Sequence, residues 1–296
     1  MSIKNVIIVG AGGNLGPSIL EVFLKESSFN TTVLSRQGSK STFPSGVKVI
    51  HADYDSNSSL KEAFAGQDAV ISLVGGAALG DQNKLIDAAI AAGVKRFIPS
   101  EFGSNTPDKR TRDIVPAFEA KKGTVDYLKT KEDVISWTSI ITGPFFDWGL
   151  RVGFLGFNGA SKTATIFDDG KATFLATNLH DIGLAVVKAL EKADITKNQY
   201  VYISGFKTSQ SEVLAAVEKI TGTKWTVVNK STKEHIEEGR AKLQKGDFSG
   251  VGNLIVGVTF DAEQQLGDYS SETLFNDKLG LPKADFEGTI RTSLSL

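Results

Sequence analysis

The segment Val6–Gly16 most constrains the fold, because it joins a short β-branched run, a glycine-rich turn and a helical pattern. Its glycines fit G-x-x-G-x-x-G, and a strand, a glycine turn and a helix in succession are typical of a dinucleotide-binding βα unit. Backbone N–H groups and the helix N-terminus then face a pyrophosphate. The alternative is a tight strand-to-helix turn without a ligand. The cofactor-binding residues predicted from this segment are Gly10, Gly12, Gly13, Asn14, Leu15 and Gly16.

The next predicted strand, residues 31–36, ends without the carboxylate that binds the ribose of NAD. It ends at Arg36, and no acidic residue occurs between Ser27 and Ala52. A carboxylate would repel a 2′-phosphate, whereas a guanidinium binds one through two parallel hydrogen bonds. The sequence therefore predicts NADP(H) as the cofactor, with Arg36 as the main phosphate-binding residue and Lys40 as a second cation. The alternative for Arg36 is an ordinary solvated arginine at a strand end.

Composition excludes several other functions. The chain has 296 residues, a formal net charge of −1 and no basic stripe, so we expect no nucleic-acid partner. No apolar run approaches the roughly 20 residues that span a bilayer, and the first residues predict no secretory signal. There is no cysteine, and three widely spaced histidines predict no metal site. We expect a cytoplasmic protein without a membrane partner, and its oligomeric state stays open.

Short apolar runs alternate with longer amphipathic segments through the first half of the chain. Strands are predicted near 5–10, 31–36, 48–53, 68–74, 95–100 and 137–143, with helices near 14–26, 58–65, 81–93 and 113–130. This alternation predicts an α/β fold, a Rossmann-type doubly wound parallel sheet. We expect residues 1–150 to form the NADP-binding Rossmann domain and residues 151–296 to form mainly a smaller C-terminal substrate-binding lobe.

The second half has weaker periodicity. We predict helices near 180–192, 209–221 and 232–243, and a strand near 225–228. A further strand near 200–204 is expected to rejoin the main sheet. The glycine-rich run 246–257 is predicted to be a loop or an apolar lid.

The fifth predicted strand runs into Pro99, which cannot donate to a ladder, so Ser100, Glu101 and Phe102 should lie at the active edge of the sheet. Ser100 and Phe102 are predicted to contact the nicotinamide end of the cofactor. For Glu101, a loop-tethering role is as well supported as a catalytic one. The run K-R-F-I-P-S-E-F-G at residues 95–103 strongly resembles the hallmark of the isoflavone-reductase-like enzymes, which belong with the NmrA-like proteins to the atypical short-chain dehydrogenases.

The resemblance also includes the glycine loop, Arg36 and residues 82–89 and 118–125, and it covers residues 4–150 well. It implies an active-site lysine on the helix after this strand, in a pattern like F-E-V-K-x-x-V. Here the segment is one residue longer: counting from Phe118 selects Lys121, and counting back from Val125 selects Lys122. We favour Lys122, because a buried Val125 three residues later would place it on the inward face. Lys121 is the alternative.

Topology suggests the remaining contacts. Gly75 follows the fourth strand, Tyr54 follows the third, and Gly143, Pro144 and Phe145 follow the sixth. Five aromatic residues could line a substrate site or fill an interlobe core: Phe145, Phe146, Trp148, Phe154 and Phe157. The resemblance implies an NADPH-dependent reductase, and the aromatic run would suit a small, flat aromatic metabolite as its substrate. The alternative is an NmrA-like regulator that senses NAD(P) without turnover.

Tyr127 and Lys131 match Y-x-x-x-K, the catalytic pair of ordinary short-chain dehydrogenases. Lys131, however, should lie at the end of its helix that is far from the active edge of the sheet.

Overall fold

The computed structural model describes residues 2–296, apart from the side chain of Ala77. The first half comprises β1 (Asn5–Val9), α1 (Gly16–Glu26), β2 (Asn30–Arg36), β3 (Lys48–Ala52), α2 (Asn57–Phe64), β4 (Ala69–Ser72), a 3-10 helix (Gly76–Asp81), α3 (Gln82–Ala91), β5 (Arg96–Ile98), α4 (Lys109–Ile114), α5 (Phe118–Lys129) and β6 (Ser136–Ile141). The second half comprises α6 (Phe146–Arg151), β7 (Phe157–Asn158), β8 (Thr163–Phe167), β9 (Phe174–Ala176), α7 (Leu179–Glu191), β10 (Gln199–Tyr202), β11 (Phe206–Thr208), α8 (Gln210–Thr221), β12 (Thr226–Lys230), α9 (Thr232–Gln244), α10 (Gly250–Phe260), α11 (Asn276–Leu279) and α12 (Phe286–Leu294).

Seven strands form the central parallel sheet, in the order β10-β6-β5-β4-β1-β2-β3. Its central strand β1 is fully buried from Val6 to Val9, which is why it reads as a continuous apolar run rather than an alternating one. The strand order reverses at β1, between β4 and β2, and ligands bind at such a switch point, outside the carboxyl ends of the strands. The predicted doubly wound α/β fold is confirmed.

Helices cover both faces of this sheet. Helices α1 and α7 pack together on one face, where Ile19 and Phe23 meet Ile182 and Val186 in one buried cluster. Helices α2, α3 and α5 cover the other face. The predicted helix near 113–130 is two helices, α4 and α5, because Pro116 falls between them and proline disfavours helical backbone in the preceding residue.

Later elements form a second packed layer around a three-stranded sheet, β12-β8-β7, and a two-stranded pair, β11-β9. Strand β10 instead pairs with β6 in the main sheet, as the sequence predicted. No helix within residues 2–296 is long and apolar enough to cross a membrane.

The prediction of a loop or lid at 246–257 is wrong over most of its length, because α10 begins at Gly250. The glycines of α10 allow this helix to pack closely against α9, and they do not make the segment flexible. A Cβ on Gly250 would lie 2.3 Å from the carbonyl oxygen of Gly239, and one on Gly257 would lie 2.4 Å from Ile236 Cγ1. Helices α9 and α10 therefore pack closely where larger side chains would separate them.

Candidate active site

The glycine turn after β1 borders a cavity of about 290 Å³ at the carboxyl edge of the sheet. Gly10 has φ +83°, and a Cβ there would lie 2.9 Å from the carbonyl carbon of Leu73, so only glycine fits without strain. The N-cap of α1, Leu15, makes no side-chain capping bond, which leaves first-turn N–H groups for an anion. The turn thus has the features of a phosphate cradle.

The predicted cradle residues divide into two groups. Gly10, Gly12 and Gly13 line the cavity, as do Gly75 and Tyr54. Asn14, Leu15 and Gly16 are not among its lining residues; Leu15 and Gly16 are buried and support the start of α1 instead. The prediction did not include Ser39, which also lines the cavity.

Arg36 lies where it was expected, at the end of β2, with an exposed side chain that borders this cavity. Among residues 2–296 it forms no ion pair with a carboxylate. Lys40 lines a neighbouring cavity of about 620 Å³. The two cavities adjoin at Ser41 and Gly12, which line both, and a Cβ on Gly12 would lie 2.5 Å from Ser41 Oγ. Arg36 therefore borders the cradle itself, and Lys40 borders the cavity next to it.

A second cavity, of about 200 Å³, lies beyond β5 and β6 at the same edge of the sheet. Phe102, Gly143, Pro144 and Phe145 line it, as the sequence suggested for the nicotinamide end of the site. Gly143 has φ +62°, and a Cβ there would lie 2.0 Å from the carbonyl oxygen of Leu175, so no larger residue fits this turn.

Ser100 lies just after the end of β5, and its polar groups form hydrogen bonds within the protein. It is 7% exposed, and its hydroxyl donates to the carbonyl of Val74 at 2.6 Å, while its N–H donates to Gln82 Oε1 at 2.9 Å. It is not among the residues lining either cavity. The hydroxyl therefore ties the ends of β4 and β5 together, with its proton already in use.

Three of the five candidate aromatic residues form one wall of the 200 Å³ cavity: Phe145, Trp148 and Phe154. Their rings follow one another, with centroid separations of 6.3 Å and then 5.9 Å, and Ile255 of α10 also lines the cavity. Phe146 and Phe157 are fully buried in the core between the later elements. The five aromatic residues thus divide between the lining of this cavity and the core of the later elements.

The structure places Lys121, rather than Lys122, in this cavity. Lys121 Nζ donates to the backbone carbonyl of Glu101 and lies 5.4 Å from the ring centroid of Phe118. Lys122 points to the surface, where Nζ lies 2.6 Å from Asp126 Oδ1. The expectation that Lys122 faces inward is therefore wrong.

Helix geometry explains the error. Val125 is buried, but so are Thr124 and Leu128, three and seven residues after Lys121. The centre of the buried face of α5 is thus rotated toward Lys121. Tyr127 and Lys131 lie elsewhere on this helix: Tyr127 Oη donates to Asp87 at 2.5 Å, and Lys131 lies over the Tyr127 ring.

The lysine sits above a buried carboxyl group. Glu101 is 1% exposed, and burial raises its pKa to about 7, against the opposing effects of Lys121 and the Thr106 hydroxyl. Burial lowers the pKa of Lys121, and the Glu101 charge opposes that shift. No group of three His, Asp or Glu side chains within residues 2–296 is arranged to hold a metal ion.

Comparison with known proteins decides the family. The sequence profile of the NmrA-like family matches residues 2–243. The chain belongs to the NmrA-like family. This NmrA-like chain is 40% identical to the oxidoreductase aprR of Aspergillus flavus over 298 residues, which is 99% of each chain. It is 32% identical to the isoflavone reductase homolog P3 of Arabidopsis thaliana, over 74% of this chain and 75% of that one.

Among solved structures, the NmrA-like chain is similar to AtPrR2 with NADP+ and (+)pinoresinol. The TM-score is 0.79 at 21% identity, and the match covers 99% of both chains. At this identity the likeness concerns the fold alone. The resemblance inferred from the motif at residues 95–103 is confirmed.

Proposed function

We propose that this NmrA-like protein is an NADP(H)-dependent reductase that transfers hydride to a small metabolite bearing an aromatic ring. The observation that carries the proposal is the arrangement at one sheet edge: a glycine and arginine cradle beside an apolar cavity that contains one lysine. Residues 1–150 would bind the cofactor, and later residues such as Phe154 and Ile255 would complete the substrate wall.

The names of the relatives support a reductase activity. The protein aprR is named an oxidoreductase, and the Arabidopsis relative is named an isoflavone reductase homolog. AtPrR2 was solved with NADP+ and pinoresinol. For this chain, the aromatic lining of the 200 Å³ cavity supports a substrate that bears an aromatic ring.

The residues present fit NADP(H). The turn at Gly10 has no room for a side chain, and the uncapped start of α1 offers N–H groups to a pyrophosphate. Arg36, without a carboxylate partner among the described residues, offers two donors to a 2′-phosphate. When bound, the nicotinamide supplies the hydride.

Lys121 would stabilise the charge that hydride transfer leaves on the acceptor. One of its ammonium protons is held by the Glu101 carbonyl, which leaves the others for a ligand in the cavity. An ammonium fixed beside a developing oxyanion lowers the barrier most where water is excluded. The aromatic wall of Phe145, Trp148 and Phe154 excludes water and favours an edge-to-face or offset aromatic partner.

The test is consumption of NADPH, followed by its absorbance, against a panel of aromatic ketones, enones and benzylic ethers. We expect turnover with at least one compound, lost in Lys121→Met and kept in Lys122→Met. The second variant is a matched control, because it removes the adjacent lysine that pairs with Asp126 at the surface.

Two results would contradict this proposal. Equal loss in both variants, or full activity in Lys121→Met, would remove Lys121 from the chemistry. Tight NADPH binding without turnover across the panel would instead favour a regulator that senses the dinucleotide.

A further inference from the structure

Glu101 is a buried acid whose position the packing of the fold does not explain. Thr106 donates its hydroxyl to Oε2 at 2.8 Å, whereas Oε1 has no hydrogen-bond partner within residues 2–296. Buried carboxylates are rare unless paired, and a buried acceptor without a donor is costly. An apolar residue would fill this position without that cost. The carboxyl group therefore calls for a functional reason.

The backbone at Glu101 is aimed at Lys121. The next residue, Phe102, has φ +35°, a left-handed conformation that a bulky residue adopts only at a cost. The turn is held there by the Phe102 N–H, which donates to the carbonyl of Ile140 at 3.0 Å, and by the carbonyl of Gly103, which accepts from the N–H of Gly143 at 3.0 Å. This held turn leaves the Glu101 carbonyl facing the Lys121 ammonium.

The titratable groups around the Glu101 carboxyl come from three elements. They are Arg112 of α4, Lys121 and Lys122 of α5, and Tyr200 and Tyr202 of β10. Burial raises the pKa of both tyrosines, and the Glu101 charge adds to the shift, so they stay neutral.

The other two cations already have carboxylate partners. Arg112 Nε lies 2.9 Å from Glu119 Oε1, and Lys122 pairs with Asp126. Lys121 lies within ion-pair distance of no carboxylate among the described residues, so the Glu101 charge has Lys121 as its one unpaired cationic neighbour. Because Glu101 is buried and Lys121 is only partly exposed, their charges are screened less than those of a fully exposed pair.

We propose that Glu101 is a positioning residue: its buried carboxylate keeps Lys121 in the ammonium form, and its carbonyl fixes where that ammonium points. The lysine would otherwise lose its proton to the solvent more readily in an apolar cavity. The inference rests on the proposed function in one respect, that the ammonium stabilises the charge left on the acceptor by hydride transfer.

The test isolates the carboxylate charge with Glu101→Gln, which keeps the backbone carbonyl and an oxygen for Thr106. Labelling with acetic anhydride across a pH series, read by fragment mass spectrometry, gives the titration midpoint of Lys121. Lys122 in the same fragments is an internal reference. We expect the Lys121 midpoint to fall by about one pH unit or more, a roughly tenfold rise in neutral amine at a fixed pH.

Glu119→Gln is the matched control. Glu119 lies on α5, as Lys121 does, but its carboxylate is paired with Arg112. We expect it to leave the Lys121 midpoint in place, and Glu101→Asp, which keeps the charge, to stay near the wild-type midpoint. An unchanged midpoint in Glu101→Gln, or the same shift in Glu119→Gln, would overturn the proposal.

A reciprocal measurement decides the matter should Glu101→Gln not fold. In protein labelled with 13C at glutamate carboxyls, Glu101 is the carboxyl that titrates above the others, and Lys121→Met should move that titration to higher pH. An unmoved Glu101 titration would refute the coupling. Both readouts are independent of turnover, so loss of the reductase activity and loss of this coupling are separate results.

Discussion

Replacing Arg36 with alanine tests whether the protein selects NADP(H) over NAD(H) through the 2′-phosphate. Arg36 ends β2 at the rim of the cradle, and it has no carboxylate partner among the described residues to compensate its loss. Its guanidinium would contact only the 2′-phosphate, a group that NADH lacks. The variant should therefore separate the two dinucleotides.

The magnitude follows from the exposure of the site. Two charge-assisted hydrogen bonds are worth about 1.5–3 kcal/mol each when enclosed. Arg36 is exposed, so we take about 2 kcal/mol for the pair together after solvent screening. This corresponds to a roughly 30-fold rise in the dissociation constant of NADPH, with less than about a threefold change for NADH.

Isothermal titration calorimetry of wild type and Arg36→Ala with both dinucleotides, at one fixed ionic strength, gives the four dissociation constants. Arg151→Ala is a suitable control, because Arg151 is also exposed and lines neither the cradle nor the 200 Å³ cavity. Equal weakening of NADPH and NADH, or a wild type that binds both equally, would refute the phosphate assignment.

Three further outcomes are expected. Gly10→Ala should abolish NADPH binding in the same titration, because its Cβ would lie 2.9 Å from the Leu73 carbonyl in a left-handed turn; retained affinity would contradict the cradle. Arg96→Met should lower the free energy of unfolding by about 2–4 kcal/mol in urea, because the buried guanidinium donates to Ser136, Thr138 and Ala193, and the loss of these charge-assisted bonds outweighs the relieved desolvation of the charge; a loss below about 1 kcal/mol would be inconsistent with those bonds. Glu101→Gln should become more stable relative to wild type as pH rises. Folding raises the pKa of Glu101 from 4.5 to about 7, so between these pH values the folded wild type holds a proton that its unfolded chain has lost. Wild-type stability from this group is full below about pH 4.5 and lost by about pH 7, so the difference should reach on the order of 3 kcal/mol at pH 8 and vanish near pH 4.5; a constant difference would refute it.

The sequence could predict the central sheet because its strands are buried on both faces. Residues such as Val6–Val9 must then be apolar throughout, and a glycine turn between such a strand and a helix is typical of dinucleotide-binding units. Arg36 was predictable for a related reason, since its place depends only on the end of one strand.

Features that depend on packing between distant elements could not be predicted in the same way. The buried face of α5 is set by four residues together, Phe118, Thr124, Val125 and Leu128, so Val125 alone selected the wrong lysine. Glycines of α10 look flexible in the sequence, yet they are required by contact with α9. The sequence also could not show that Arg36 and Lys40 line different cavities, which share Ser41 and Gly12.

A crystal structure of the protein with NADP+ would test the central claim most directly. We predict the 2′-phosphate in hydrogen-bonding contact with Arg36, and the nicotinamide ring in the cavity formed by Phe102, Gly143 and Phe145, with Lys121 beside it. A nicotinamide ring outside that cavity, or one that meets Lys122 while Lys121 stays remote, would contradict the account.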